Sequence, residues 1–217
     1  MLKKLKTMLT AIAITAATVA GASDLKELNF GIIATEKAGA MKQMWEPFLE
    51  DMSKAVGMKV NGFYATDYAG VIEAQRFNKV QIAWYGNKAA IDAVDRAQGE
   101  VFAQFIDLDG TPGYYSYLIT HKDSPIKTLV DLKGKKIAFN ANGGLCELMW
   151  RDHLASVGLT IDDVEPVVLP FPEQEAALEQ GNIDATCTIN PFYASMSGNA
   201  ALAPVNVAAG TLHDLQQ

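Results

Sequence analysis

The chain has 217 residues and a formal net charge of −7, from 25 acidic and 18 basic side chains. So acidic a balance lacks the basic footprint of general nucleic-acid binding, and that class is excluded. Composition is otherwise that of a soluble globular protein, 49% hydrophobic and 20% charged, with no low-complexity segment.

The first 22 residues read as an export signal. Lys3, Lys4 and Lys6 make a basic start, residues 8–19 form a short apolar and threonine-rich run, and Ala20-Gly21-Ala22 is a small-x-small cleavage site before Ser23. The run is too short to span a bilayer as a helix. No Cys follows the cleavage site to take a lipid. The expectation is a secreted, periplasmic protein whose mature chain, without those three lysines, carries −10. Any anion it binds must then be held by hydroxyls, backbone N–H groups and helix N-termini against an unfavourable overall field.

Beyond the signal, short apolar runs alternate with amphipathic ones, the pattern of repeated β-α units around mainly parallel sheets. Strands are predicted at 28–34, 58–65, 80–85, 101–106, 115–120, 136–140, 164–169 and 183–188. Between the first two, Met41, Met44, Trp45, Phe48, Leu49, Met52 and Val56 fall on one helical face. Pro47 interrupts that stripe and predicts either a kink or the true first turn. Helices are also predicted at 67–77, 87–97, 144–157 and 172–180. A Gly/Asp/Pro cluster at 107–113 divides the chain, and composition changes again near 190–204. Cys146 and Cys187 either pair, as an oxidising compartment allows, or are two small buried side chains. The CxxC and Cys/His spacings of a zinc site are absent.

The middle of the chain gathers neutral donors at predicted strand ends: Tyr68, Tyr85, Asn87, Tyr114 and Tyr115. Open α/β sheets bind ligands at strand ends, and donors without a nucleophile–base pair or metal ligands suit holding a molecule, not transforming it. His121, His153 and His213 lie on unrelated elements, with His153 placed on a helix surface. No catalytic residue, metal site or cofactor is therefore assigned. Thr35 and Glu36 sit at another strand end and are candidates to line a cleft.

From residue 28 to about 132 the chain resembles the phosphonate-binding proteins of bacterial ABC uptake systems, through DYAG, RFNKV, AWYGN and PGYY. The resemblance implies a two-lobe, type II periplasmic binding-protein fold with ligand held in the cleft. Lobe one would span 23–107, completed by about 195–217, and lobe two 108–194. The returning part of lobe one is short for the family. It implies that Tyr68 and Tyr114 donate hydroxyl hydrogen bonds to a bound oxyanion, which is delivered to an ABC permease by a protein acting as a monomer. Family members carry a Ser/Thr-rich loop after the strand here reading KKIAFN. This chain has Asn140, Asn142, Gly143 and Gly144 there instead, and its second half is more similar to binding proteins for sulfonates, nitrate and thiamin precursors. An enzyme of thiamin-pyrimidine type on the same fold is the alternative of another class. The export signal and the scattered histidines argue against it.

Overall fold

The structure is a computed structural model that describes residues 25–106, 110 and 112–205. The expected export signal and His213 lie outside these. Three parallel strands, β1 (Glu27–Ile32), β2 (Lys59–Tyr64) and β3 (Ile82–Trp84), form a first sheet in the order β2-β1-β3. Parallel neighbours need a long crossover, and here it is helical: α1 (Ala38–Val56) leads to β2 and α2 (Tyr68–Arg76) to β3. α3 (Asn87–Ala97) follows β3. The Asp67 carboxylate accepts the Gly70 N–H at 2.8 Å, which caps α2 and fixes Tyr68 at its first position.

α1 runs through Pro47, so that residue is not the first turn. Pro47 and Gln43 are both exposed, and the carbonyl that loses its partner can turn to water. The predicted stripe is only partly covered. Met41 and Leu49 are buried, whereas Met44, Phe48 and Val56 are exposed. Among the described residues, three strands leave the rest of the stripe uncovered. The predicted strand at 101–106 is also absent: Val101, Phe102, Phe105 and Ile106 are exposed, and only an isolated bridge joins Ile106 to Pro112. A strand exists only against a neighbour, and among the described residues none runs beside this segment.

The second sheet has five strands in the order β6-β5-β7-β4-β8. β5 (Lys136–Phe139), β6 (Glu165–Val168) and β7 (Ala185–Ile189) are parallel, and β4 (Ser116–His121) lies antiparallel between β7 and β8 (Leu202–Pro204). Within each sheet the earliest parallel strand is flanked by the next two, so β6-β5-β7 repeats β2-β1-β3. α4 (Leu145–Ser156), α5 (Phe171–Glu179) and the short α6 (Phe192–Ser197) cover it. Neither α6 nor β8 is predicted from sequence. The stretch from about 195, expected to return to lobe one, adds to the second sheet as far as residue 205.

Fully buried Trp150 centres the second core, its indole N–H donating to the Ala138 carbonyl at 2.9 Å. Cys146 and Cys187 form a disulfide that ties α4 to β7 beside it, which settles the two readings left open by sequence. His153 is not a surface residue. It is completely buried, and neither ring nitrogen has a hydrogen-bond partner.

That burial has a measurable consequence. It holds the His153 imidazole below the ordinary value of 6.5, with the Asp152 charge opposing the shift. The folded protein stays neutral there while the unfolded chain takes up a proton as pH falls through 6.5. Stability is therefore lost below that pH, by up to ~1.4 kcal/mol per pH unit. Urea midpoints taken at falling pH are expected to drop less steeply for His153→Leu than for the parent. Equal slopes would assign the acid sensitivity to other groups.

Candidate functional site

The loops after the carboxyl ends of β1 and β2 meet the loop after β5. Asn140, one residue past β5, places its side-chain amide against both: Nδ2 donates to the Ala34 carbonyl at 3.1 Å and to the Tyr68 hydroxyl at 2.9 Å. Asn140 and Tyr68 are both buried, at 4% and 5% exposure. The Tyr68 backbone N–H donates to the Asn142 carbonyl at 3.4 Å. Residues from the two sheets thus form one polar junction, 106 and 72 positions apart in sequence for the two Asn140 bonds.

Glycine makes the approach possible. Gly143 has φ +79°, a left-handed conformation that side chains disfavour, and a Cβ there would stand 3.4 Å from Tyr68 Cβ. A Cβ on Gly144 would stand 3.3 Å from Tyr68 Cζ. The loop therefore lies flat against the tyrosine, with the N-terminus of α4 beginning at Gly144. On the other side, the Tyr114 hydroxyl reaches Gly86, where a Cβ would stand 3.2 Å away. Gly86 caps α3 at the end of β3.

The electrostatics favour neutral donors. Burial pushes the Tyr68 phenol well above its ordinary range, with Tyr114 adding to the shift and the Asn140 bond opposing it. Burial raises the Tyr114 phenol as well. Both stay protonated at neutral pH. An O–H in a low-dielectric junction can point at an oxyanion without a counter-ion. In the structure the Tyr68 oxygen accepts from Asn140, which leaves its own proton free to be donated elsewhere.

Six of the eight sequence-predicted site residues take part in this junction or border it directly: Tyr68, Tyr114, Asn140, Asn142, Gly143 and Gly144. Asn142 does so through its backbone carbonyl. Thr35 and Glu36 adjoin it without supplying the contact, which comes from the Ala34 carbonyl; the Thr35 hydroxyl turns to Met41 Sδ at 3.9 Å. Tyr115 is exposed, and the remaining tyrosines have structural places. Tyr85 donates to Gln75 Oε1 at 2.8 Å, Tyr117 stacks on Tyr193 at 3.5 Å between centroids, and Tyr64 folds over Gly62. Sequence reasoning missed Gly86 and Glu147. Gly86 precedes the predicted helix at 87 and was available as its cap. Glu147 stands three residues after Gly144, a capping spacing.

Two grooves, of 370 and 550 Å³, lie elsewhere. One is at the far end of the second sheet beside His121 and Asp184, the other beside α1 and β2. Neither contains a junction residue. Among the described residues no group of His, Cys, Asp and Glu is arranged to hold a metal ion, and both cysteines are in the disulfide.

The profile of a family described as ABC transporter, phosphonate, periplasmic substrate-binding protein matches residues 30–211. The phosphonates-binding periplasmic protein of Escherichia coli is 60% identical over 111 residues, 51% of this chain and 33% of that protein. A putative aliphatic sulfonates-binding protein of the same organism is 37% identical over 78 residues, 36% of this chain and 24% of that one. The crystal structure of a binding-protein component of an ABC phosphonate transporter from Pseudomonas aeruginosa superposes with a TM-score of 0.70 at 34% identity, over 82% of this chain and 64% of that one. The chain thus spans about a third of the length of the first curated relative it matches.

Proposed function

Because the chain belongs to the family of phosphonate-binding periplasmic substrate-binding proteins of ABC transporters and has their two-lobe type II fold, we propose that it captures a small oxyanion between its lobes and hands it to a membrane permease. A phosphonate or related phosphorus compound is the favoured ligand. Export by residues 1–22, work in the periplasm and a lobe boundary near residue 107 belong to the same proposal. One observation carries it. Buried Tyr68, at a strand end of lobe one, stands against Asn140 and the Gly143–Gly144 loop of lobe two, while half-buried Tyr114, where the chain enters lobe two, reaches back to Gly86, and both phenols are protonated. These groups supply hydrogen-bond donors with no nucleophile–base pair beside them among the described residues, an arrangement suited to reversible capture.

A sulfonate ligand is the second reading. The sulfonates-binding relative supports it, as does the loop Asn140-Ala141-Asn142-Gly143-Gly144, which has no Ser or Thr to surround a phosphorus oxyanion. A thermal-shift panel of methylphosphonate, phosphite, phosphate, methanesulfonate and simple amines separates the readings, since a ligand of the native state raises the melting temperature. The expected result is a shift with phosphorus oxyanions. A shift with neutral or cationic solutes alone would overturn the proposal. Hinge closure is tested by small-angle scattering with and without saturating ligand, where compaction is expected. Unchanged dimensions would remove that mechanism.

A further inference from the structure

The N-terminus of α4 faces the junction and is the natural seat for an anion, since its free N–H groups and dipole favour negative charge. In this chain a carboxylate is already fixed beside that seat, on the N–H just before the helix cap. The Glu147 carboxylate accepts the Gly143 N–H at 2.7 Å through Oε2, while Oε1 takes Arg151 Nε at 2.9 Å and Nη2 at 2.8 Å. Glu147 is largely buried, its side chain 16% exposed, whereas that of Arg151 is 51% exposed. The carboxylate is therefore fixed beside the Tyr68 loop, and its counter-ion is mostly in water and screened. Lys37, three residues beyond Ala34, is paired with Glu173 of α5 at 2.7 Å.

We infer that Glu147 sets the charge class of the ligand: by placing a carboxylate on the loop that meets Tyr68, it selects singly charged oxyanions over doubly charged ones. The inference rests on the oxyanion reading and deepens it. An incoming anion finds one N–H already taken and a fixed negative charge nearby, and the Coulomb cost rises in proportion to its own charge. A dianion pays twice what a monoanion pays. The site then accepts a hydrogen phosphonate or a sulfonate, which accounts for a cradle built from amides and glycines without extra hydroxyls.

The probes are methylphosphonate and methanesulfonate, close in size and shape. At mildly alkaline pH the first carries two charges and the second one. Calorimetry on Glu147→Gln is expected to show a gain for methylphosphonate that exceeds the gain for methanesulfonate by roughly tenfold. The Gln side chain can still accept the Gly143 N–H, so the helix start is kept. Arg151→Gln leaves the carboxylate less compensated and is expected to act in the opposite direction, weakening methylphosphonate by a few-fold more than methanesulfonate. A merely structural role moves both ligands equally and in the same direction for both variants. Equal effects on the two ligands, or none, would overturn the role of Glu147 and leave the oxyanion reading standing. Failure of parent and variants alike to bind either anion would overturn both.

Discussion

The double variant Tyr68→Phe/Tyr114→Phe is expected to lose nearly all affinity for the oxyanion. On the proposed reading each hydroxyl donates to the charged ligand, an interaction worth about 1.5–3 kcal/mol. Either single change should cost that much and the pair roughly twice as much, less whatever the two share as neighbours. Folding should change little, because the rings and their packing remain. For Tyr68 the structural cost falls on Asn140, whose Nδ2 keeps the Ala34 carbonyl when the Tyr68 oxygen goes. Tyr64→Phe is the control, since that ring lies over Gly62 beside the α1–β2 groove, away from the junction. Calorimetry on the parent and these four variants decides the matter. A Tyr64→Phe loss as large as that of Tyr68→Phe, or normal binding by Tyr114→Phe, would remove these tyrosines from the contact set. Charge also strengthens such bonds. The loss should be larger for a doubly ionised ligand than for its singly ionised form, and equal losses would mean that the hydroxyls only shape the space.

The junction was legible in the sequence because it is built from strand ends, which alternation of apolar and amphipathic runs locates to within a residue or two. Tyr68 follows a capping Asp, and Asn140 to Gly144 is a Gly/Asn break between a strand and a helix; both are local signals. What stayed hidden depends on partners distant in sequence. Residues 101–106 have the composition of a strand, yet composition says nothing of whether a neighbouring strand lies beside them. Cys146 and Cys187 are 41 residues apart, and only the packing of α4 on β7 brings them together. β8 is three residues long, Leu202–Pro204, too short to leave a period. Thr35 and Glu36 were placed at the right strand end, but which group turns inward depends on loop geometry, and it is the Ala34 carbonyl.

His153 is a different kind of miss, because its position was readable. α4 buries Cys146, Met149, Trp150, His153 and Leu154, spacings of three and four that form one continuous face. His153 follows Met149 by four and Trp150 by three, so periodicity puts it inside. Residue type suggested otherwise, since a histidine beside Arg151 and Asp152 looks solvated. Where pattern and polarity disagree on a helix whose other face carries the charges, pattern decides.

The same face makes Trp150→Ala the substitution with the largest expected effect on stability. The side chain is completely buried, at the centre of a cluster that includes Leu118, Ile137, Leu154 and the disulfide. Removing it deletes the transfer energy of an indole and leaves a cavity, a change that costs about 3–5 kcal/mol. That is a large share of the roughly 5–15 kcal/mol that holds a domain together. Trp150→Phe should cost less, because most of the volume stays, though the Ala138 carbonyl loses the indole N–H now 2.9 Å away. Urea unfolding of the oxidised protein measures both, and a loss below about 1 kcal/mol for the alanine variant would mean that the cluster is not what seats α4. The consequence reaches the ligand through geometry. α4 carries Gly144 at its start and Glu147 in its first turn, so a helix free to shift would blur the contacts made by both. A ligand that binds only the native state adds RT ln(1 + [L]/Kd) of stability. If Trp150 acts on the fold alone, ligand should raise the unfolding midpoint of Trp150→Phe by as much as it raises that of the parent. A smaller rise would show that the buried indole, one helix turn behind Glu147, also holds the binding loop in place.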